Sequence, residues 1–221
     1  MRIPLLPVSV YRKLFERNRL KLPRRPAEAF GPPAGVIELP ALYPLYIGED
    51  TPLNDMLVLL NLARGRKARR ILEVGTYRAR TTCALYRNCP DAIIVSYDIQ
   101  VLDSPFRREL LKAPNVELRH ASFAASAETL RREPPFDFIF IDASHSFEHV
   151  LEDSRLALEL LADNGVIVWH DYRLNDHPFE KGFRVPEALD VIAQSVPVYS
   201  VPGTLCAVHV RSSPARPVPN N

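Results

Sequence analysis

An α/β fold with a doubly wound, mainly parallel sheet is what this sequence predicts, on three observations. From residue 70 onward, short apolar runs alternate with segments of helical spacing. The runs Phe136 to Ile141 and Val166 to Trp169 are continuously apolar, as strands are when helices cover both faces of a parallel sheet. Near the end, Val201-Pro202-Gly203-Thr204 puts Pro second and Gly third, the pattern of a type II turn. A hairpin there brings an antiparallel strand into the sheet.

Taken in order, residues 1–50 form a Pro-rich arm. Pro4, Pro7, Pro23, Pro26, Pro32, Pro33, Pro40 and Pro44 leave room for one short helix around Val10 to Leu20, because proline cannot sit inside a helix. The apolar content of Val36 to Ile47 predicts that this part packs on the body or on a second subunit. Thr51-Pro52 is a start signal, and Leu53, Met56, Leu57 and Leu60 follow at helical spacing, so 52–64 is a helix closing at Gly65. Strands are then expected at 70–74, 92–97, 115–120, 136–141 and 166–169. Helices are expected at about 79–88, 105–112, 123–132, 147–162 and 184–194, and the hairpin pairs 196–201 with 204–210. The main domain spans 51–211, and 212–221 is a tail.

The first turn narrows the ligand. Glu73-Val74-Gly75-Thr76 joins a strand to a helix, the place where α/β sheets bind nucleotide cofactors. A dinucleotide needs G-x-G-x-x-G so that bare backbone reaches a pyrophosphate. Here Gly75 stands alone, followed by Tyr77 and Arg78. The turn suits an adenosine cofactor without a diphosphate.

Composition bounds the rest. The chain has 221 residues, 47% apolar and 24% charged, an ordinary soluble profile. A net charge of +2 is too small to argue for nucleic acid, which is not expected as a partner. Two basic clusters, Arg12 to Arg25 and Arg64 to Arg70, read as solvated faces, with docking of RNA or an anionic membrane as the alternative. Cys83, Cys89 and Cys206 form neither a disulfide framework nor a zinc spacing. With no cleavage pattern at the start and no apolar run long enough to span a bilayer, a cytoplasmic protein is expected.

The pieces together resemble the class I S-adenosylmethionine-dependent methyltransferases. The resemblance runs from about residue 52 to 210. It rests on Glu73-Val74-Gly75-Thr76, on Asp98 ending the second strand, on Phe136 to Asp142, on Asn164-Gly165 through Trp169-His170-Asp171-Tyr172, and on the closing hairpin. Ile141-Asp142-Ala143-Ser144-His145-Ser146-Phe147-Glu148 is similar to the small sugar and natural-product O-methyltransferases, the macrocin O-methyltransferase-like group. Ala79 departs from the class, which commonly has a second glycine there. The resemblance implies a Rossmann-like, seven-stranded sheet in the order 3-2-1-4-5-7-6. It also implies methyl transfer from S-adenosylmethionine to a hydroxyl of a small molecule.

In such a sheet the ligand lies beyond the carboxyl ends of the strands, at the reversal of strand order. Glu73, Gly75, Asp98, Asp142, His170 and Asp171 all fall there. Asp98, 23 residues after Gly75, is placed to grip ribose hydroxyls. Gly75, Thr76 and Glu73 are expected at the methionine part, with Asp142 beside them. The resemblance adds Thr81 and, at the adenine edge, Ser122. A hydroxyl needs a base or a cation to lose its proton. His145, just after the fourth strand, is the first choice as base and His170 the second. Asp142, His170 and Asp171 are the candidate ligands of a divalent metal, magnesium or manganese, although an imidazole favours the softer ions. Glu148 and His149 read as structural. Two other classes remain open: a nicotinamide-dependent oxidoreductase, disfavoured by the single glycine, and a non-catalytic cofactor-binding interaction protein. The apolar, Pro-rich arm points to a homodimer.

Overall fold

The computed structural model describes residues 22–39, 51–172 and 183–212. One seven-stranded sheet has the order β3-β2-β1-β4-β5-β7-β6. Its strands are β1 (Arg70–Val74), β2 (Ile93–Asp98), β3 (Val116–His120), β4 (Phe136–Ile141), β5 (Leu161–Trp169), β6 (Tyr199–Ser200) and β7 (Ala207–Val210). The first five are parallel; β7 is antiparallel to both β5 and β6. The helices are α1 (Leu53–Gly65), α2 (Arg80–Asn88), α3 (Pro105–Leu110), α4 (Ala127–Leu130), α5 (Phe147–Leu160) and α6 (Val185–Ile192). The closing turn forms as expected: Gly203 has φ +76° and Thr204 N–H donates to the Val201 carbonyl at 3.3 Å.

Side-chain alternation along the strands builds a three-layer molecule. Leu72, Val95, Ile139, Ile167 and Trp169 face the layer of α5 and α6. Ile71, Ile94, Phe138, Phe140 and Val168 face α1 and α2. The central strands are thus covered on both sides, which is why their sequences are apolar throughout rather than alternating. No helix among the described residues is long and apolar enough to cross a membrane.

Four elements differ from expectation, the first being the hairpin, whose strands shorten to Tyr199–Ser200 and Ala207–Val210. The helix at 123–132 divides into a 3₁₀ turn, Ala124–Ser126, and α4. There the Ser126 hydroxyl donates back to the Ser122 carbonyl at 2.9 Å, a bond that competes with regular helix. Strand β5 begins at Leu161, not Val166, since Leu161 pairs with Phe136 across a register shift. The buried stripe of α1 is Met56, Leu59, Leu60 and Ala63, with Asp55 and Leu62 beside it, while Leu53 and Leu57 are exposed. Met56 and Leu60 belong to either face; Leu59 and Ala63 complete the i, i+3, i+4, i+7 pattern that decides it.

The described part of the arm packs on the body of the same chain. Arg24 bridges Ser200 in parallel, and Arg25 and Pro23 exchange backbone hydrogen bonds with Ser200 at 3.1 and 3.0 Å. The Arg25 guanidinium lies 4.1 Å from the Tyr199 ring centre, and Leu22 and Phe30 are buried. The arm therefore covers the β6 edge, which would otherwise present unpaired backbone. The helix expected near Val10 to Leu20 lies outside the described residues.

Candidate functional site

The carboxyl ends of β1 and β2 hold the first half of the site. Glu73 is fully buried, and its Oε2 accepts from the hydroxyls of Thr82 and Ser96. Since Ser96 donates its only hydroxyl hydrogen to Glu73, Thr76 must donate to Ser96, 2.6 Å away. Thr76 thus turns its side chain into the sheet rather than toward a ligand. Burial pushes the Glu73 carboxyl up to about 8 despite these donors. Its second oxygen, Oε1, is buried without a hydrogen-bond partner, an arrangement that natural interiors seldom leave unused.

Gly75 follows with φ +105°, and a Cβ there would run into the carbonyl of Asp142. Glycine is required because the β1 turn presses against the end of β4. Tyr77 and Ala79 also have positive φ, 44° and 62°. The turn is tied down by Asp98: its Oδ2 accepts from Tyr77 N–H at 2.6 Å and its Oδ1 from Gln100 N–H at 2.8 Å. Each carboxylate oxygen has a further lone pair for a ligand hydroxyl. Thr81 meets Thr51, Oγ to Oγ, at 3.2 Å. Ser122 is exposed at the end of β3, and its hydroxyl accepts from Ala125 N–H at 3.3 Å, so its visible role is to cap the turn.

The second half lies at the ends of β4 and β5, where four predicted residues meet. His145 Nε2 is 3.0 Å from Asp171 Oδ2, and its half-exposed ring packs on Phe183, with centroids 4.9 Å apart. Asp171 sits at φ +59°, a conformation costing an L-residue of order 1 kcal/mol or more. Burial alone would raise its carboxyl, yet hydrogen bonds from His145 and His170 hold it well below the usual range. His170 is enclosed: Nδ1 faces Asp142 Oδ1 at 3.1 Å and Asp171 Oδ2 at 3.4 Å, and Nε2 faces Asp55 Oδ2 at 2.8 Å. Burial would lower its pKa, but the carboxylates, Asp142 first, raise it well above the ordinary histidine value. With carboxylates facing both ring nitrogens, His170 is biased toward its protonated form, which disfavours it as the second base.

Asp142, His170 and Asp171 each offer a ligand atom, all within 4.8 Å of one another. The set fits a cation in one way. Nε2–H stays on Asp55 while Nδ1 exchanges its proton for the ion, since a coordinating imidazole must give up the proton at the ligating nitrogen.

Residues 72–172 match the family described as a methyltransferase domain, and none of the curated proteins matches the chain by sequence. Among solved structures, the chain is similar to the S-adenosylhomocysteine-bound methyltransferase PaMTH1 of Podospora anserina. Identity is 21%, coverage is 97% of this chain and 100% of that one, and the TM-score is 0.60. It is also similar to TomG of Streptomyces achromogenes, an O-methyltransferase of tomaymycin synthesis solved with S-adenosylmethionine: 21%, 93% and 96%, TM-score 0.59. A third is an O-methyltransferase of Bacillus cereus with S-adenosylhomocysteine: 20%, 94% and 93%, TM-score 0.53. This chain has the methyltransferase fold.

Within that fold several side chains near the site are structural. Trp169 is core, its Nε1–H donating to Ser154 at 2.9 Å. Tyr172 is buried and its hydroxyl accepts from Leu22 N–H at 3.1 Å, so it anchors the arm. His149 meets the Ser144 hydroxyl at 3.1 Å, and His120 meets the Ile99 carbonyl at 2.9 Å. All three cysteines are free thiols and buried. Sequence reading missed Ser96, Thr82 and above all Asp55. The only signal for Asp55 was an acid flanking an apolar helical stripe, which became visible once the right stripe was drawn.

Proposed function

We propose that this protein transfers the methyl group of S-adenosylmethionine to a hydroxyl of a small molecule, a sugar or another natural product. One observation carries the reading: a buried carboxylate oxygen without a partner, Glu73 Oε1, lies on the strand edge that also holds the His145–Asp171 pair. The first suits a cationic ligand group and the second a proton acceptor.

Bound S-adenosylmethionine would supply a methyl group already activated on a sulfonium. Glu73, which burial raises to about 8 in the ligand-free chain, would release its proton on facing the ammonium, the Gly75 turn would hold the methionine part, and Asp98 would take the ribose hydroxyls with its remaining lone pairs. What this chain adds is position and proton management. Asp171 holds His145 through Nε2, fixing the ring so that Nδ1 is the nitrogen that takes a proton from the acceptor. Asp142 and the His170 imidazolium set the charge beside that hydroxyl. A divalent cation that replaced the Nδ1 proton, held by Asp142, His170 Nδ1 and Asp171, would lower the hydroxyl's pKa in place of the imidazolium. Acceptor specificity is expected in the arm, the segment 172–185 and the loop after β2; of these, residues 1–21, 40–50 and 173–182 lie outside the described residues.

Calorimetry with S-adenosylhomocysteine and NADH tests the cofactor; tight binding of NADH alone would reject the reading. Radiolabelled methyl transfer to a panel of sugars, phenols and amines tests the acceptor. Label appearing only on amines would reject the hydroxyl.

A further inference from the structure

Asp55 is the feature of this site that neither motif nor spacing announced. It lies on α1, next to the stripe of Met56, Leu59 and Leu60, and is only 2% exposed. Burying an ionised carboxylate there is costly unless its oxygens are bonded. Both are. Oδ1 accepts from the backbone N–H of Leu205, in the hairpin, at 3.2 Å, and Oδ2 faces His170 Nε2 at 2.8 Å. Asp55 therefore joins three separate parts of the chain, and the carboxylate is itself held fixed by the hairpin backbone.

The consequence concerns which nitrogen of His170 is available. An imidazole ring can turn over and exchange Nδ1 for Nε2. Here the Phe140 ring packs edge-on against it with centroids 6.2 Å apart, and Asp55 holds Nε2. Only Nδ1 is left to point at Asp142 and Asp171, 3.1 and 3.4 Å away. Metal-binding histidines commonly donate the second ring N–H to a carboxylate, which fixes the ring and strengthens the ligand. Asp55 stands where that partner belongs.

We propose that Asp55 is a positioning residue for a divalent-cation site formed by His170 Nδ1, Asp142 and Asp171, and that this site selects manganese, cobalt or zinc over magnesium. The proposal rests on the cation part of the function proposed above. One imidazole nitrogen and two carboxylates form a mixed set that favours the borderline metals, whereas magnesium prefers oxygen ligands alone.

The test titrates the purified full-length protein with Mn²⁺, following free ion by electron paramagnetic resonance, with and without excess Mg²⁺. A Co²⁺ titration adds an absorption spectrum that reports ligand geometry. The wild type is expected to bind one Mn²⁺ that Mg²⁺ displaces poorly. Asp55→Asn and Asp55→Ala should each weaken Mn²⁺ binding by about 10- to 100-fold and alter the cobalt spectrum. Their affinity for S-adenosylhomocysteine should stay near the wild-type value, which also reports that the variants fold; the near-isosteric Asn covers the case in which Ala does not. If both variants bind Mn²⁺ as the wild type does while His170→Ala does not, the role of Asp55 is overturned. If the wild type binds S-adenosylhomocysteine but no Mn²⁺, Co²⁺ or Zn²⁺, the cation site is overturned and the methyl-transfer reading stands.

Discussion

Replacing Glu73 by Gln should change the sign of its effect on stability between pH 5 and pH 9. In the folded chain burial pushes this carboxyl from its ordinary 4.5 to about 8. Between those values the folded state holds a proton that the unfolded state has released, so stability falls as pH rises through the window and levels off above it. Each pKa unit is worth about 1.4 kcal/mol, and the gap amounts to a loss of roughly 4–5 kcal/mol. The glutamine side chain of the variant has no proton to lose. It does place an amide N–H₂ where Oε1 lacks a partner, a penalty of about 1–3 kcal/mol at every pH. Glu73→Gln should therefore be less stable than the wild type at pH 5 and more stable, by a few kcal/mol, at pH 9. Urea unfolding of both proteins across this range, without cofactor, measures the difference. Subtraction removes other groups such as Asp153, which burial raises to about 6. A stability difference that does not vary with pH would refute the buried, protonated Glu73.

Ala79→Gly should stabilise the protein by about 1 kcal/mol in urea unfolding, because Ala79 has φ +62° and glycine adopts that conformation without the cost of a Cβ; a destabilised variant would show that the Ala79 methyl, which is buried, matters more than the strain. His145→Ala should lower turnover by about 10²–10⁴-fold, the usual contribution of a general base, with S-adenosylhomocysteine affinity nearly unchanged; unaltered turnover would remove His145 from the chemistry. Ser154→Ala should cost about 1–3 kcal/mol, since it strands the indole N–H of Trp169, which is buried in the core and donates to that hydroxyl; a thermal melt identical to wild type would contradict this.

Much of the fold was legible because it depends on local pattern. The continuous apolar runs at 136–141 and 166–169 could only be strands covered on both sides, and Pro202-Gly203 specified the turn by its own backbone chemistry. The carboxyl-edge residues were legible too, since a parallel sheet puts every such strand end on one edge. Where local signals compete, packing decides. Two apolar stripes share Met56 and Leu60, and Ser126 can bond its own helix backbone, so the face of α1 and the break before α4 depended on packing.

The sequence by itself determined the parallel sheet with its late antiparallel strand, the tight glycine turn at Gly75, and the gathering of Asp142, His145, His170 and Asp171 at neighbouring strand ends. Tertiary structure decided what each group does there. A hydroxyl such as Thr76 can face a ligand or a buried serine. A histidine such as His170 is a base, a ligand or an imidazolium according to how many carboxylates surround it. Asp55 is 115 residues from His170 in the chain and 2.8 Å from it in space. No periodicity records such a pairing, because proton affinity and ring orientation are set by burial and by the charges that folding brings together.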